Sequence, residues 1–431
     1  MLTIRELKER LAGDFYRPLL AKTYCKAADH LAAETGRIQG VVSGYQRVFA
    51  RGEETEVCVC TAAGRTEVGG NHTDHQRGKV LAASVNRDAV ACAGRNDLGL
   101  IRIYSEGYGL VAVDTAALAK VPEEENTTIS LVRGIAARIT AMGYPVAGFD
   151  AYLRSDVPGG SGLSSSACYE VLVGVMMNHL FCSDALTLTQ IAQIGQYAEN
   201  VYFGKPSGLM DQMACALGGI VAIDFADAEH PVCRQVDFDF AQAGHALCII
   251  DTGGCHADLT PDYGAVPEEM RAVAAALGGE VLSEVAEEAL YANLPAVRAA
   301  CGDRAVLRAM HYYGDVRRVE QQVAALEAGD FDRFLALVSE SGRSSFCYLQ
   351  NVATYRNPKE MPVAVALAVA ERLLAGRGAV RVHGGGFAGT IQAYVPLEMA
   401  APFTAGMEAA LGKGTCHEMA IRPVGGAVLM D

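Results

Sequence analysis

The chain has 431 residues, a net charge of −14 and a hydrophobic fraction of 51%. That length allows roughly two or three domains, and the apolar content supports large cores, which excludes a globally disordered chain. The acidic balance excludes a nucleic-acid backbone as the main partner, although a helix N-terminus and a divalent cation can still hold a nucleotide's phosphates locally. The 13 cysteines are an odd number, and many lie in apolar strand-like runs such as Val57-Cys58-Val59-Cys60 and Leu247-Cys248-Ile249. With no CxxC pair and no paired zinc-ligand spacing, they read as buried thiols of a reducing compartment. The opening residues Met1-Leu2-Thr3-Ile4-Arg5-Glu6 lack the basic-then-apolar pattern of a signal peptide, and no apolar run is long enough for a bilayer. A soluble, cytoplasmic protein with no membrane partner is expected.

Apolar positions at helical spacing (Leu7, Leu11, Tyr16, Leu20, Tyr24, Ala28, Leu31) predict an N-terminal helical arm from Leu7 to Ala33. Gly36 to Gly44 reads as a glycine-punctuated linker, closing a first segment at residues 1–43. Glu56 to Ala62 alternates as a strand does, and Gly64 to His75 is polar and glycine-rich, a loop pattern. Val80 to Val85, Asp88 to Ala93 and Gly99 to Tyr104 predict strands of an antiparallel sheet. Pro122 followed by Glu123, Glu124 and Glu125 suits a helix first turn, and that helix should run to Met142 and stop at Gly143. Phe149 to Arg154 reads as a half-buried strand and Cys168 to Phe181 as a helix. Thr187 and Gln190 fit a capping box, opening a helix with Leu188, Ile191, Ile194, Ala198 and Val201 on one face and Glu199 near its end. Gly204 to Gln212 is polar and kinked. Charge and a proline near Asp224 to Pro231 place a boundary between segments 44–226 and 227–431. The second half mixes strands (His245 to Asp251, Ala379 to His383, Thr390 to Val395) with helices (about Val316 to Ala328, Gly329 to Ser339, Met361 to Leu374), with no internal repeat.

The stretch Val157-Pro158-Gly159-Gly160-Ser161-Gly162-Leu163-Ser164-Ser165-Ser166-Ala167 lies between a predicted strand and a predicted helix. Its glycines let backbone approach a ligand closely, and its serines open a helix whose unpaired N–H groups attract anions. No Lys follows the last glycine, so it is not a Walker A loop. The same residues fit a phosphate cradle or a serine-capped turn. Phosphoryl transfer to a hydroxyl also needs a metal held by oxygens, a cation and a group that orients the nucleophile. Ser166 and Glu199 are hard oxygen ligands suited to Mg²⁺, Arg65 can face charge built in the transition state, and Asp211 can act as base. An Arg beside Asp211 would lower its pKa, so the acid would orient the hydroxyl as much as deprotonate it. Each residue also has a plain structural use, since a loop Asp is commonly a cap and an isolated helical Glu is commonly solvated. His72 and His75 on either side of Asp74 allow a metal reading, but no further spaced ligand accompanies them.

Together these segments resemble the galactokinase family of the GHMP kinase superfamily over most of the chain. Gly64 to Asp74 is similar to the signature G-R-V-N-L-I-G-E-H-T-D-Y, and Pro158 to Ala167 to the ATP loop P-x-x-x-G-L-S-S-S-A. Ser207-Gly208-Leu209-Met210-Asp211-Gln212 resembles S-G-I-M-D-Q, and Gly384-Gly385-Gly386-Phe387-Ala388-Gly389 resembles G-G-G-F-G-G. Ala325 to Phe331, with Glu340-Ser341, also fits the family pattern. The resemblance implies an α/β (α+β) two-domain GHMP kinase fold with the active site in the cleft between domains. It implies an ATP- and Mg²⁺-dependent kinase for the anomeric hydroxyl of galactose or a close relative. Asp211 would be the proton acceptor and Arg65 the transition-state cation. Gly160, Ser161, Gly162, Leu163, Ser164, Ser165 and Ser166 would wrap the phosphates, and Ser166 and Glu199 would hold Mg²⁺. Asn71, His72, Thr73, Asp74, Gly208 and Tyr263 would contact the sugar.

The departures fall on sugar-facing positions. The family's Glu is Asn71, its Tyr is His75 and the following Asn is Gln76. Ala63 replaces a Pro, Gly264 replaces an Asn after Tyr263, Ala388 replaces a Gly, and the upstream loop reads Asp251-Thr252-Gly253-Gly254-Cys255-His256-Ala257-Asp258. An amide in place of a carboxylate loses a charge-assisted hydrogen bond to a hydroxyl and adds a donor. Two alternatives therefore stand beside galactose. One is a kinase for another sugar (an N-acetylhexosamine, arabinose or a uronate, the last facing Arg77 or His75). The other is a sugar- and ATP-binding sensor, against which the retained Arg65, Ser166, Glu199 and Asp211 argue.

Overall fold

The structure, a computed structural model, describes residues 1–159, 162–227, 229–254 and 259–431. The predicted cradle residues Gly160 and Ser161, and the quoted Cys255, His256, Ala257 and Asp258, lie outside the described residues.

Two antiparallel-rich sheets carry the chain. The first has nine strands and is built on one long pair, Glu56–Gly69 against Lys79–Arg95. Every residue of Glu56–Gly69 after Glu56 is buried, which is the mark of a strand covered on both faces. Cys58, Cys60 and Ala62 belong to the main core, whereas Val57 and Val59 pack with Ile38, Val42 and Tyr45 of the N-terminal arm. The strand runs on through Gly64 to Gly69, where the sequence reads as a loop, with a register shift between Ala63 and Gly64. Polarity misleads here because the polar side chains Arg65, Thr66 and Glu67 are buried against partners rather than solvated. Lys79–Arg95 splits its other edge between Ile220–Asp224 and Phe149–Ser155. Among the described residues the single parallel pair joins Phe149–Ser155 to Leu100–Ser105.

The arm consists of helices Ile4–Ala12, Arg17–Tyr24 and Ala32–Phe49. Thr3 and Glu6 close a capping box on the first. Residues 36–44, expected as a linker, lie within the third helix. Gly36, Gly40 and Gly44 recur at a spacing of one helical turn, and a Cβ at Gly44 would enter the Tyr152 ring at 2.5 Å, while Gly36 and Gly40 face open space. The expected boundary at 224–231 likewise falls between Ile220–Asp224 and Val232–Val236, which pair with each other. Thr187 and Gln190 form the expected capping box.

The second sheet orders strands Ala379–Val382, Thr390–Pro396, His245–Asp251 and Cys416–Met419. Helices Pro362–Leu374 and Leu397–Leu411 cover one face through Val363, Ala366, Phe403 and Met407. On the other face Leu247, Ile249 and Tyr394 join the main core with Phe334 and Leu337 of helix Phe331–Ser344. The two sheets meet at Thr66-Glu67-Val68. His383 Nε2 accepts the Glu67 N–H at 3.2 Å, Gln392 Nε2 donates to the Glu67 carbonyl at 3.0 Å, and Arg381 Nη1 donates to the Val68 carbonyl at 3.1 Å. Among the described residues no helix is long and apolar enough to cross a membrane.

The arm helix yields a paired prediction. Gly44→Leu should cost about 1–3 kcal/mol by overpacking against Tyr152. Gly40→Ala should gain about 0.5–1 kcal/mol from helix propensity. Urea unfolding, with the slope unchanged and the midpoint moved in opposite directions, checks both.

Candidate active site

A cavity of about 570 Å³ opens where the Glu56–Gly69 strand, the Gly204–Asp211 segment and the Gly384-Gly385 turn converge. At its floor Arg65 meets Asp211 as a parallel fork, Nε to Oδ1 and Nη2 to Oδ2, both at 2.7 Å. Arg65 is only 5% exposed, so this bidentate pairing is what makes its burial tolerable. Its remaining nitrogen donates to the Gly162 carbonyl, and its backbone N–H donates to the Leu163 carbonyl at 3.1 Å. One side chain thereby ties the strand, the glycine-serine loop and Asp211 together.

Asp211 stands in the first turn of helix Met210–Leu217. The Ser164 hydroxyl donates to its Oδ2. Burial pushes its carboxyl up, but the charge and hydrogen bonds of Arg65, then Ser164 and Lys205, outweigh that and hold it at about 2. Ser164 has a left-handed backbone, φ 56°, and turns its hydroxyl toward Asp211 instead of capping helix Ser165–Phe181. Among the described residues no side chain caps that helix, which leaves its first-turn N–H groups facing an anion's place. Gly162 has φ +70°, and a Cβ there would collide with the Thr390 hydroxyl, so this position requires glycine. Leu163 is buried, and Ser165 and Ser166 are the first helical residues.

Ser166 Oγ lies 3.5 Å from Glu199 Oε1. Glu199 sits on a π-type turn, Ala198–Phe203, that continues the capped helix Leu188–Tyr197. Its other contacts are Lys205 Nζ at 2.8 Å, Ser207 Oγ at 2.6 Å and Gln212 Nε2 at 2.9 Å. Gln212 Nε2 also donates to Glu170 at 2.9 Å. Glu170 is fully buried; desolvation, followed by the charge of Glu199, pushes its carboxyl well up. A hydroxyl and a carboxylate, already matched by the Lys205 ammonium, form a donor set that fits Mg²⁺, which takes one or two protein oxygens and completes its shell with phosphates and water. Among the described residues no group of three or more His, Cys, Asp or Glu is arranged to hold a metal ion.

The expected sugar-facing residues divide in two. His72, Asp74, Gly208 and Tyr263 line the cavity. His72 Nε2 donates to the Gly385 carbonyl at 3.0 Å, and burial lowers its pKa to about 4, so the ring is neutral. Asp74 is pushed to about 6 by burial and then by the charge of Asp211. A Cβ at Gly208 would collide with the Asp74 carboxylate, so this glycine makes room for it. Tyr263 OH donates to the Gly386 carbonyl at 2.8 Å. Asn71 and Thr73, by contrast, are fully enclosed. The Thr73 hydroxyl pins the turn through Gly70 and Lys79 carbonyls, at 2.9 and 2.7 Å. Arg77 pairs with Glu284 at 2.7 Å, whereas His75 and Gly264 do line the cavity.

Sequence reasoning passed over Glu67, Glu170, Lys205 and Arg271. Glu67, Lys205 and Arg271 line the cavity, Lys205 pairs with Glu199, and Glu170 reaches Glu199 through Gln212. A signal existed for Glu170, one turn after Ser166 in an otherwise apolar helix, and for Glu67, two residues after Arg65 on one strand face.

The family description "Galactokinase galactose-binding signature" matches residues 43–95, and "GHMP kinases N terminal domain" matches residues 130–219. A galactokinase of Streptomyces coelicolor is 33% identical over 337 residues, 77% of this chain and 83% of the relative. The Homo sapiens galactokinase is 31% identical, covering 78% of this chain and 83% of its own. Among solved structures, Lactococcus lactis galactokinase complexed with galactose superposes with a TM-score of 0.78 at 24% identity, over 91% of this chain and all of that one. A mevalonate kinase superposes with a TM-score of 0.60 at 11% identity, over 84% of this chain and 99% of its own. These two likenesses are of fold.

The two cavity carboxylates make a pH prediction. Between its ordinary value, 3.8, and about 6, the folded Asp74 keeps a proton that the unfolded chain has lost. Its contribution to stability is thus complete below the lower value and is lost as pH rises through the upper one. Asp211→Asn removes the neighbouring charge and should lower the Asp74 midpoint, while burial keeps it above the ordinary range. Carbon-13 NMR titration of labelled aspartate carboxyls reads the shift.

Proposed function

The chain belongs to the galactokinase family, and from that premise we propose that it transfers the γ-phosphoryl group of ATP to the anomeric hydroxyl of galactose, releasing sugar 1-phosphate and ADP. The observation that carries this reading is the Arg65–Asp211 fork, which lines the cavity and is bonded to the Gly162–Ser166 loop through Gly162 and Ser164. The open helix N-terminus behind Ser165 receives the phosphates, and its amide dipoles favour their negative charge. Asp211 accepts a hydrogen bond from the C1 hydroxyl and aims its oxygen at the γ-phosphorus. The O1–P bond forms as the bridging bond to ADP breaks, and the hydroxyl proton passes to Asp211 or to solvent.

A carboxyl held at about 2 is a weak base. In a loose phosphoryl-transfer transition state the nucleophile needs little deprotonation before the new bond forms, so orientation is the larger part of the role. Arg65 fixes that orientation, and its charge lies toward the phosphate loop, where charge moves during transfer. Ser166 and Glu199 would hold Mg²⁺. Bound there, the ion would neutralise phosphate oxygens. Lys205 would then exchange its contact with Glu199 for one with phosphate. Gln212 bridges Glu199 to Glu170, whose carboxyl burial pushes well above its ordinary value.

ADP release from ATP and Mg²⁺ against a panel of free sugars, with the phosphate position read by NMR, tests the reading. Turnover of galactose at C1 is expected. Asp211→Asn should lower kcat by about 10²–10⁴-fold with galactose binding retained, and Glu199→Gln should raise the Mg²⁺ concentration for half-maximal rate about tenfold or more. Sugar and ATP binding without turnover would replace the kinase with a sensor, and turnover of another sugar alone would replace the acceptor.

A further inference from the structure

Two positions in the Gly64–Asp74 segment have exchanged side-chain chemistry relative to the signature it resembles. Where that signature, G-R-V-N-L-I-G-E-H-T-D-Y, has Asn and then Glu, this chain has Glu67 and then Asn71. The structure shows the two as a bonded couple. Asn71 Nδ2 donates to both Glu67 oxygens, at 3.0 and 3.2 Å, and to the Gly384 carbonyl at 2.7 Å. Asn71 Oδ1 accepts from Asn351 Nδ2 at 2.8 Å and from Ser345 Oγ at 3.2 Å. Its backbone is held as well, N–H by Asp315 at 2.8 Å and carbonyl by His311 at 2.9 Å. An amide has two donor hydrogens and one acceptor oxygen, and here both ends are engaged by protein within a fully buried residue. Asn71 has nothing left to offer a sugar.

Glu67 does. It lies in the cavity wall beside Gly384 and Gly385. Oε1 takes the Arg381 guanidinium and the Asn71 amide, while Oε2 has the 3.2 Å contact to Asn71. A carboxylate has about four acceptor positions, so capacity remains on the oxygen that is not bound by Arg381. Arg65 and Glu67 share a strand face two residues apart, which separates them by about 7 Å along the strand, comparable to the width of a hexose ring. A sugar whose C1 hydroxyl sits on Asp211 therefore carries its far hydroxyls toward Glu67.

We propose that Glu67 binds a galactose hydroxyl remote from C1 and determines acceptor specificity, with Asn71 as its positioning residue. This rests on the galactose 1-kinase reading. The exchange keeps one carboxylate and one amide in the couple, and it moves the carboxylate from the turn onto the strand that carries Arg65. Arg381 keeps the charge compensated, and Asn71 holds both oxygens so that the free lone pairs keep one direction.

The test uses the full chain, unmodified and as Glu67→Gln, Asn71→Glu and the double exchange Glu67→Asn with Asn71→Glu. Each is assayed with galactose and with 2-, 4- and 6-deoxygalactose, and circular dichroism reports folding. Galactose turnover by the unmodified chain decides the parent reading separately; without turnover, calorimetric binding of the same sugars replaces KM. Glu67→Gln should raise galactose KM about 10- to 100-fold, as the loss of one charge-assisted hydrogen bond does, with ATP KM unchanged. It should also erase discrimination against the 4- or the 6-deoxy sugar and leave that against the 2-deoxy sugar, a pattern that a merely structural residue would not give. Asn71→Glu alone sets two carboxylates against each other and should lose more than either other variant, and the double exchange should recover most of that loss. Unaltered KM and unaltered deoxy-sugar discrimination in Glu67→Gln would overturn the proposal, as would a folded double exchange no better than Asn71→Glu. If Asn71→Glu does not fold, the Glu67→Gln discrimination pattern decides.

Discussion

A strand buried on both faces cannot carry an arginine and a glutamate unless the rest of the chain brings each of them a counter-charge. Arg65 and Glu67 are enclosed in the middle of the fold, and an unpaired charge there would cost several kcal/mol. Asp211 comes from the start of a helix and Arg381 from the second sheet. Satisfying the two charges therefore requires the Met210 helix and the second sheet to be docked onto the same strand. The cavity lies where those obligations meet, so folding and preorganisation of the site are one event. The donors and acceptors that face a substrate are set before it arrives, which is the condition for electrostatic stabilisation without reorganisation.

The same constraint sorts the acids. Asp211 and Asp74 share one cavity, yet one is held at about 2 and the other is raised to about 6. The difference is the Arg65 fork. Gln212 bridges a second pair of acids, Glu199 and Glu170, and burial pushes the Glu170 carboxyl well up. Environments that drive paired acids apart let one site hold a fixed anion and a neutral group at the same pH.

Much of this was legible in the residues, and the failures are instructive. Hydrophobic period and caps located the Thr187 helix, three of the second-sheet strands and helix Pro362–Leu374 closely, while the strand Cys416–Met419 went unread. The motifs marked Arg65, Ser164, Ser166, Glu199 and Asp211, and the fold brings Arg65 and Ser164 onto Asp211 and Ser166 beside Glu199. Local rules failed where tertiary partners overrode them. Gly36 to Gly44 resembles a linker until Tyr152 is seen to need the space at Gly44. Gly64 to Gly69 resembles a loop until the second sheet is seen to bond its backbone. Glu67 was invisible as a site residue because its significance lies in its pairing with Asn71, and pairing of side chains across a turn is a property of three dimensions.

The central strand also has an awkward history during synthesis. Its outer edge at Val59 to Thr61 is completed by Ala427–Met430, an element made long after the strand itself. Until then the central strand keeps a row of unsatisfied amides and carbonyls along that edge, roughly for the tens of seconds that the intervening chain takes to be made. Such an edge is a template for pairing with a neighbouring nascent copy. The arm helices, which precede the strand in the chain and cover Val57 and Val59 from one face, thus act as a temporary shield until Ala427–Met430 is made.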